Sequence, residues 1–177
     1  MGEMSISKAL ESGWNEVGIM SFDEFIKSYQ TGKAADWILV IAIFQDSYIY
    51  GKFKSDILRS GYNLIVFDHD SLIQDISSFS KANGQLLFLS GSFFNKKYAS
   101  NILKLSLQFP RGCALNLSVK QSKTISKIFE KIKVEIPSSY LFKKELITLY
   151  LADLFYQFHK ILISTKGKSS ILKPIYD

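Results

Sequence analysis

Gln85-Leu86-Leu87-Phe88-Leu89-Ser90-Gly91-Ser92-Phe93-Phe94-Asn95 holds the changeover that decides the fold. Up to Ser90 the chain is a series of short runs rich in β-branched and aromatic residues, at 37–44, 48–54, 62–68, 71–77 and 85–90, split by turn residues. Beyond Gly91, apolar residues recur at i, i+3, i+4 and i+7, first over 119–134 and then over 140–163. Strands first and helices second predict an α+β, mainly β chain. The expected form is a small barrel or sandwich with helices packed at one end, not alternating βαβ units.

Charge divides at the same place. Residues 1–95 carry seven Lys/Arg against eleven Asp/Glu, a net −4; residues 96–177 carry fifteen against five, a net +10. A basic helical half can meet nucleic acid or an acidic partner. Its lysines are spread along the sequence, however, and Arg111 is the single arginine there to offer a bidentate phosphate fork. The charge is therefore read as solvated helix faces rather than direct DNA contact.

With 177 residues and 47% hydrophobic content the chain is expected to be one globular unit with a sizeable core. The contiguous apolar runs, such as 37–44, are far below the ~20 residues of a bilayer span. The start, Met1-Gly2-Glu3-Met4, lacks a basic region followed by an apolar one, and Ile6 stands where a myristoylation signal needs Ser or Thr. A lone cysteine, Cys113, offers no intramolecular disulfide. No membrane association and a cytoplasmic location are expected.

The chemical inventory is thin. Two histidines, His69 and His159, fall in different halves, and a metal site needs three or four convergent ligands. His69 in Asp68-His69-Asp70 reads as a polar turn, because neighbouring strand side chains point to opposite faces. His159 is expected on the solvated side of the last helix. No phosphate-binding glycine loop, nucleophile elbow or His-Glu-x-x-His helix occurs. No metal, no cofactor and no enzymatic activity are expected.

Binding is the remaining chemistry. Tyr48, Tyr50 and Lys52 alternate onto one face of a strand, and Ile49, Gly51 and Phe53 onto the other. If the tyrosine face points inward it equips a pocket for a sugar or similar small polar molecule, with Trp37 and Gln74 as further candidates. The alternative puts Ile49 and Phe53 in the core and the tyrosines at the surface.

The helical half places Tyr98, Ile102 and Leu103 inward on a short helix, then Val119, Ile125, Ile128, Phe129 and Ile132 on one stripe. Pro137-Ser138-Ser139 stops that helix and offers a cap for the next. The last helix has an apolar arc too wide for one contact. Leu146, Leu149, Tyr150, Asp153, Phe155 and Phe158 are expected to straddle the core and a homodimer interface.

Five runs together carry a family likeness: Trp37-Ile38-Leu39-Val40-Ile41-Ala42-Ile43-Phe44, Tyr50-Gly51-Lys52-Phe53, Asn63-Leu64-Ile65-Val66-Phe67, the run from Gln85 to Ser90, and Phe93-Phe94. With the two following helices, to about residue 165, the pattern resembles the N-terminal regulatory domain of AraC-type transcription regulators. The resemblance implies a cupin-like double-stranded β-barrel over 1–92 that can take a small, sugar-like effector. It implies a C-terminal helical pair over 93–165 that makes a homodimer, and DNA binding only through a helix-turn-helix domain absent from this chain.

The His-x-His and Pro-x-Gly motifs of metal-binding cupins do not occur, which removes a dioxygenase or isomerase reading. Residues 166–177, with Gly167-Lys168-Ser169-Ser170, read as a linker remnant. The function expected is non-enzymatic effector sensing and dimerisation. The rivals are a free-standing, metal-free cupin that binds a sugar or acts as a scaffold, and a metal-free cupin enzyme.

Overall fold

A computed structural model describes residues 16–30, 37–45, 61–68, 83–106, 109 and 113–166. Five strands, β1 (Val17–Ser21), β2 (Trp37–Gln45), β3 (Tyr62–Asp68), β4 (Asn83–Ser90) and β5 (Cys113–Leu117), form one sheet in the order β1-β4-β2-β3-β5. Every pairing is antiparallel. Helix α1 (Phe22–Gln30) follows β1, and α2 (Gly91–Phe94), a 3-10 turn (Lys97–Ala99) and α3 (Ser100–Ser106) follow β4. Helices α4 (Val119–Glu135) and α5 (Lys143–Lys166) complete the described chain.

The α+β class stands, but among the described residues helix outweighs strand by almost two to one, so the expected predominance of β structure is reversed, and the sheet is not a closed barrel. Its edges are β1 and β5, which do not pair with each other among the described residues. One of these edges comes from the helical half: β5 lies beyond α3 and pairs with β3, Leu64 opposite Leu115. The expected strands at 48–54 and 71–77 lie outside the described residues.

Both faces of the sheet are covered, which explains the unbroken apolar runs of the central strands. Antiparallel sheets with one wet face alternate apolar and polar residues; here Val40, Ala42, Phe44, Ile65, Phe67, Leu86 and Phe88 line one buried face. Ile41, Ile43, Leu64, Val66, Leu87 and Leu89 line the other. Against the first face lies α1, with Phe25 stacked on Phe88 at 5.4 Å and Phe22 edge-on to Phe44 at 6.1 Å. The second face carries the larger core, filled by Ile125, Ile128, Phe129 and Ile132 of α4 and by Ile147, Leu151, Leu154, Phe155 and Phe158 of α5. Phe109 closes it, 5.9 Å from both Phe155 and Phe158.

Local sequence sets the helix starts. Ser21 and Glu24 form a reciprocal cap: the Ser21 amide donates to Glu24 Oε2 at 2.7 Å and the Glu24 amide to Ser21 Oγ at 3.2 Å. Ser118 and Gln121 repeat the device at α4, at 2.8 and 3.3 Å. Helix α4 ends at Glu135, with Ile136 as its C-cap just before Pro137, but α5 begins at Lys143 rather than at the expected 140. Residues 141 and 142 form a turn instead. Gly84 is fixed by a different constraint: a side chain there would run into the backbone of Ile43 and Phe44 on β2.

Candidate functional site

The most distinctive surface lies on α5. Ile147, Leu151, Leu154, Phe155, Phe158, Ile161 and Leu162 are buried, all on the side turned to the core, where the helix packs on α4 and α3. Directly opposite, Leu149, Tyr156 and Ile163 are 65%, 57% and 58% exposed, and Phe142, one heptad earlier in the preceding turn, is 54% exposed. Residues seven apart drift by only about 20° around a helix. The four large side chains therefore make a single outward stripe along the helix, continued at its start by exposed Leu141 and Tyr140. Tyr140 and Phe142 pack edge to face at 5.8 Å.

Three exposed charges, Glu145, Asp153 and Lys160, interrupt this stripe. Asp153 is exposed and its Oδ1 accepts from Gln157 Nε2 at 3.0 Å. Lys160, also exposed, lays its ammonium over the Tyr156 ring, 5.4 Å from the centroid. Over 143–164 the helix has the length and mean hydropathy (1.2) of a membrane-crossing segment, a reading that contiguous apolar runs in the sequence do not give. Within this fold its inward half is packed on α4 and α3, in the core shared with the sheet.

The expected interface residues separate into two groups. Leu149 and Asp153 are exposed on the outward side, and Leu146 and Tyr150 are half-buried at its border, Tyr150 beneath the Lys131 ammonium at 5.4 Å. Phe155 and Phe158 are 0% exposed and belong wholly to the chain's own core, so neither is available to a partner. Placing them on an interface requires them to leave the triad with Phe109. Sequence reasoning missed Phe142, Tyr156 and Ile163. The signal that finds them is the seven-residue spacing from Leu149, which a wide apolar arc conceals.

Other expectations fare unevenly. Tyr48, Tyr50, Lys52 and Gln74 lie outside the described residues, as does His69. Of Trp37 only the backbone is described, in β2 opposite Ser90. Ile102 is buried as expected, whereas Val119 is exposed at the outer edge of α4. His159 is half-buried rather than solvated, and its Nδ1 is enclosed without a hydrogen-bond partner among the described residues. No group of three or more metal-ligating side chains occurs among the described residues.

An open cleft of about 230 Å³, lined about equally by polar and apolar surface, lies where the ends of β2, β3 and β4 meet α4, with Ile43 and Phe44 in its wall. Gln45, Tyr62, Asn83, Gln85, Ser126 and Glu130 line it, and Gln85 Nε2 donates to Glu130 Oε1 at 3.1 Å. Its volume is below the roughly 300–1,000 Å³ of drug-sized pockets. Amides, hydroxyls, one carboxylate and an aromatic ring can satisfy the hydroxyl groups of a small polyol. Compared with protein-family models, with curated proteins and with solved structures, the chain gives no match.

Proposed function

We propose that this chain is a non-enzymatic sensing and dimerisation domain of an AraC-type transcription regulator, pairing with a second copy through the outward stripe of α5. The observation that carries the reading is that stripe. Leu149, Tyr156 and Ile163 run along one side of a 24-residue helix whose other side is committed to the core, and exposed Phe142 precedes them in the turn that leads into it. Apolar surface of this extent on a single chain favours an interface. Asp153 and Lys160 supply opposite charges on the same line, so two copies related by a two-fold axis can set each beside the other.

The effector part of the reading rests on the cleft at the ends of β2, β3 and β4, whose mixed polar and apolar lining suits a sugar-like molecule. Such a ligand would act by binding one arrangement of the dimer more tightly than another. A cupin-like barrel is part of the same proposal and requires further strands to close the gap between the β1 and β5 edges. Cytoplasmic location and DNA binding through a domain outside this chain belong to it as well.

Two measurements test the proposal. Sedimentation velocity from 1 to 200 μM is expected to show a monomer–dimer equilibrium, and a chain that remains monomeric throughout removes the dimer. Reading the gene beyond codon 177 is expected to show a helix-turn-helix pair; a coding sequence that ends there without one removes the regulator.

A further inference from the structure

The lysines that look scattered in the sequence are gathered by α4. Lys120, Lys123, Lys127 and Lys131 recur every three or four residues and are all exposed. At 1.5 Å per residue they form a line about 16 Å long. The first three, with Val119 and Thr124, line a shallow groove. None of the four makes an ion pair with a described residue; Lys131 rests on the Tyr150 ring. The two acidic residues of α4 are engaged elsewhere, Glu130 with Gln85 at 3.1 Å and Glu135 with the Ser138 hydroxyl at 3.0 Å. Like charges at these spacings repel one another, so the line costs the isolated helix stability.

From this we infer that the exposed face of α4 is a docking surface for the phosphodiester backbone of duplex DNA, bound without regard to sequence. Charge complementarity is the ground, and the chemistry of the face narrows the partner. Duplex DNA presents a phosphate every ~3.4 Å of axis on each strand, a repeating anionic ladder that a repeating line of cations can follow. Lysine is a flexible point charge lacking arginine's planar fork, so it can neutralise a phosphate without a fixed bidentate geometry.

Other anionic partners fit less well. Single strands are held by aromatic platforms, and the face has no aromatic residue of its own beyond the Tyr150 ring under Lys131. A membrane-surface helix needs an apolar side turned to the lipid, but the apolar side of α4 (Ile125, Ile128, Phe129, Ile132) is buried in the core. Protein interfaces centre on buried aromatic or arginine anchors and are depleted in lysine. This contact is independent of the regulator reading: it needs only α4 and its lysines.

The test is fluorescence anisotropy of the full chain with a labelled 30-base-pair duplex of arbitrary sequence, from 50 to 200 mM KCl. Four neutralised phosphates give a slope of about −3.6 in log K against log salt, a weakening of about a hundredfold over that range. The triple variant Lys120→Gln/Lys123→Gln/Lys127→Gln is expected to bind at least tenfold more weakly at 50 mM and to lose about 2.7 units of slope. Lys127→Gln alone should lose about one unit. A control of equal net charge, Lys97→Gln/Lys104→Gln/Lys144→Gln, should keep both affinity and slope, with circular dichroism confirming that all variants fold. Several results overturn the inference: no binding at 50 mM, equal losses in the two triple variants, tighter binding of the single strand, or tighter α4-dependent binding of phosphatidylserine vesicles.

Discussion

Replacing Leu149 by glutamate separates the outward side of α5 from its inward side. Leu149 is 65% exposed, so its removal takes little from the core. Fully burying a leucine is worth about 1.5–3 kcal/mol, which leaves about 1–2 kcal/mol for the exposed fraction. Four stripe residues on each of two protomers then contribute roughly 8–16 kcal/mol gross, against an association cost of about 4–15 kcal/mol. A net of about 6–8 kcal/mol, within the span of these two figures, corresponds to dissociation constants of roughly 1–40 μM. Leu149→Glu removes this contact twice, once per protomer, and puts two carboxylates into a desolvated seam. Together these cost about 4 kcal/mol, a weakening of roughly a thousandfold. Sedimentation velocity should therefore show a monomer at every concentration up to 200 μM, with an unchanged circular dichroism spectrum and a melting temperature within a few degrees of wild type at a concentration where both are monomeric. A variant that still dimerises with wild-type affinity refutes the stripe as the interface. One that unfolds refutes the division of the helix into inner and outer sides.

Phe158→Ala is the counterpart: a fully buried ring in contact with Phe109 and Phe155 leaves a cavity costing about 3–5 kcal/mol, read as a fall in melting temperature of roughly 6–20 °C. A loss under 1 kcal/mol would show that the ring is not in the core. Gly84→Ala forces β4 away from the backbone of β2 and should destabilise by about 1–3 kcal/mol in urea unfolding; a neutral result would show that the strands separate there without strain. Ser118→Ala breaks the capping box of α4 and should lower stability by about 1 kcal/mol in the same assay, whereas Ser118→Asp should retain most of it. Dimerisation through an apolar stripe should change less than threefold between 50 and 500 mM salt, in contrast to the steep salt dependence of the lysine face; a steep decline in both would make the dimer electrostatic.

Periodicity and turn chemistry made much of the secondary structure legible in the sequence. The 62–68 strand was placed at its full extent, the 37–44 and 85–90 strands within one or two residues, and α4 within one residue at each end. These segments have strong local preferences, and Ser118, Gln121 and Pro137 mark boundaries by short-range chemistry alone. β1 and β5 were missed because five-residue edge strands are held by their neighbours in the sheet, through pairs such as Ile19 with Leu87 and Leu64 with Leu115, which local sequence does not encode. Which strands pair, and that the sheet ends at β1 and β5 without closing, are likewise long-range facts.

The two surfaces divide in the same way. Composition gave the excess of lysine and the excess of apolar surface on the last helix, since both are sums over residues. Which side each residue faces was decided by packing: the larger core takes Phe155 and Phe158, leaving Leu149, Tyr156 and Ile163 outside. The same core takes the isoleucines of α4, and four of its five lysines, Lys120, Lys123, Lys127 and Lys131, are then left on one line. A helix repeats every 3.6 residues, and only the surface it lies against fixes where that repeat points.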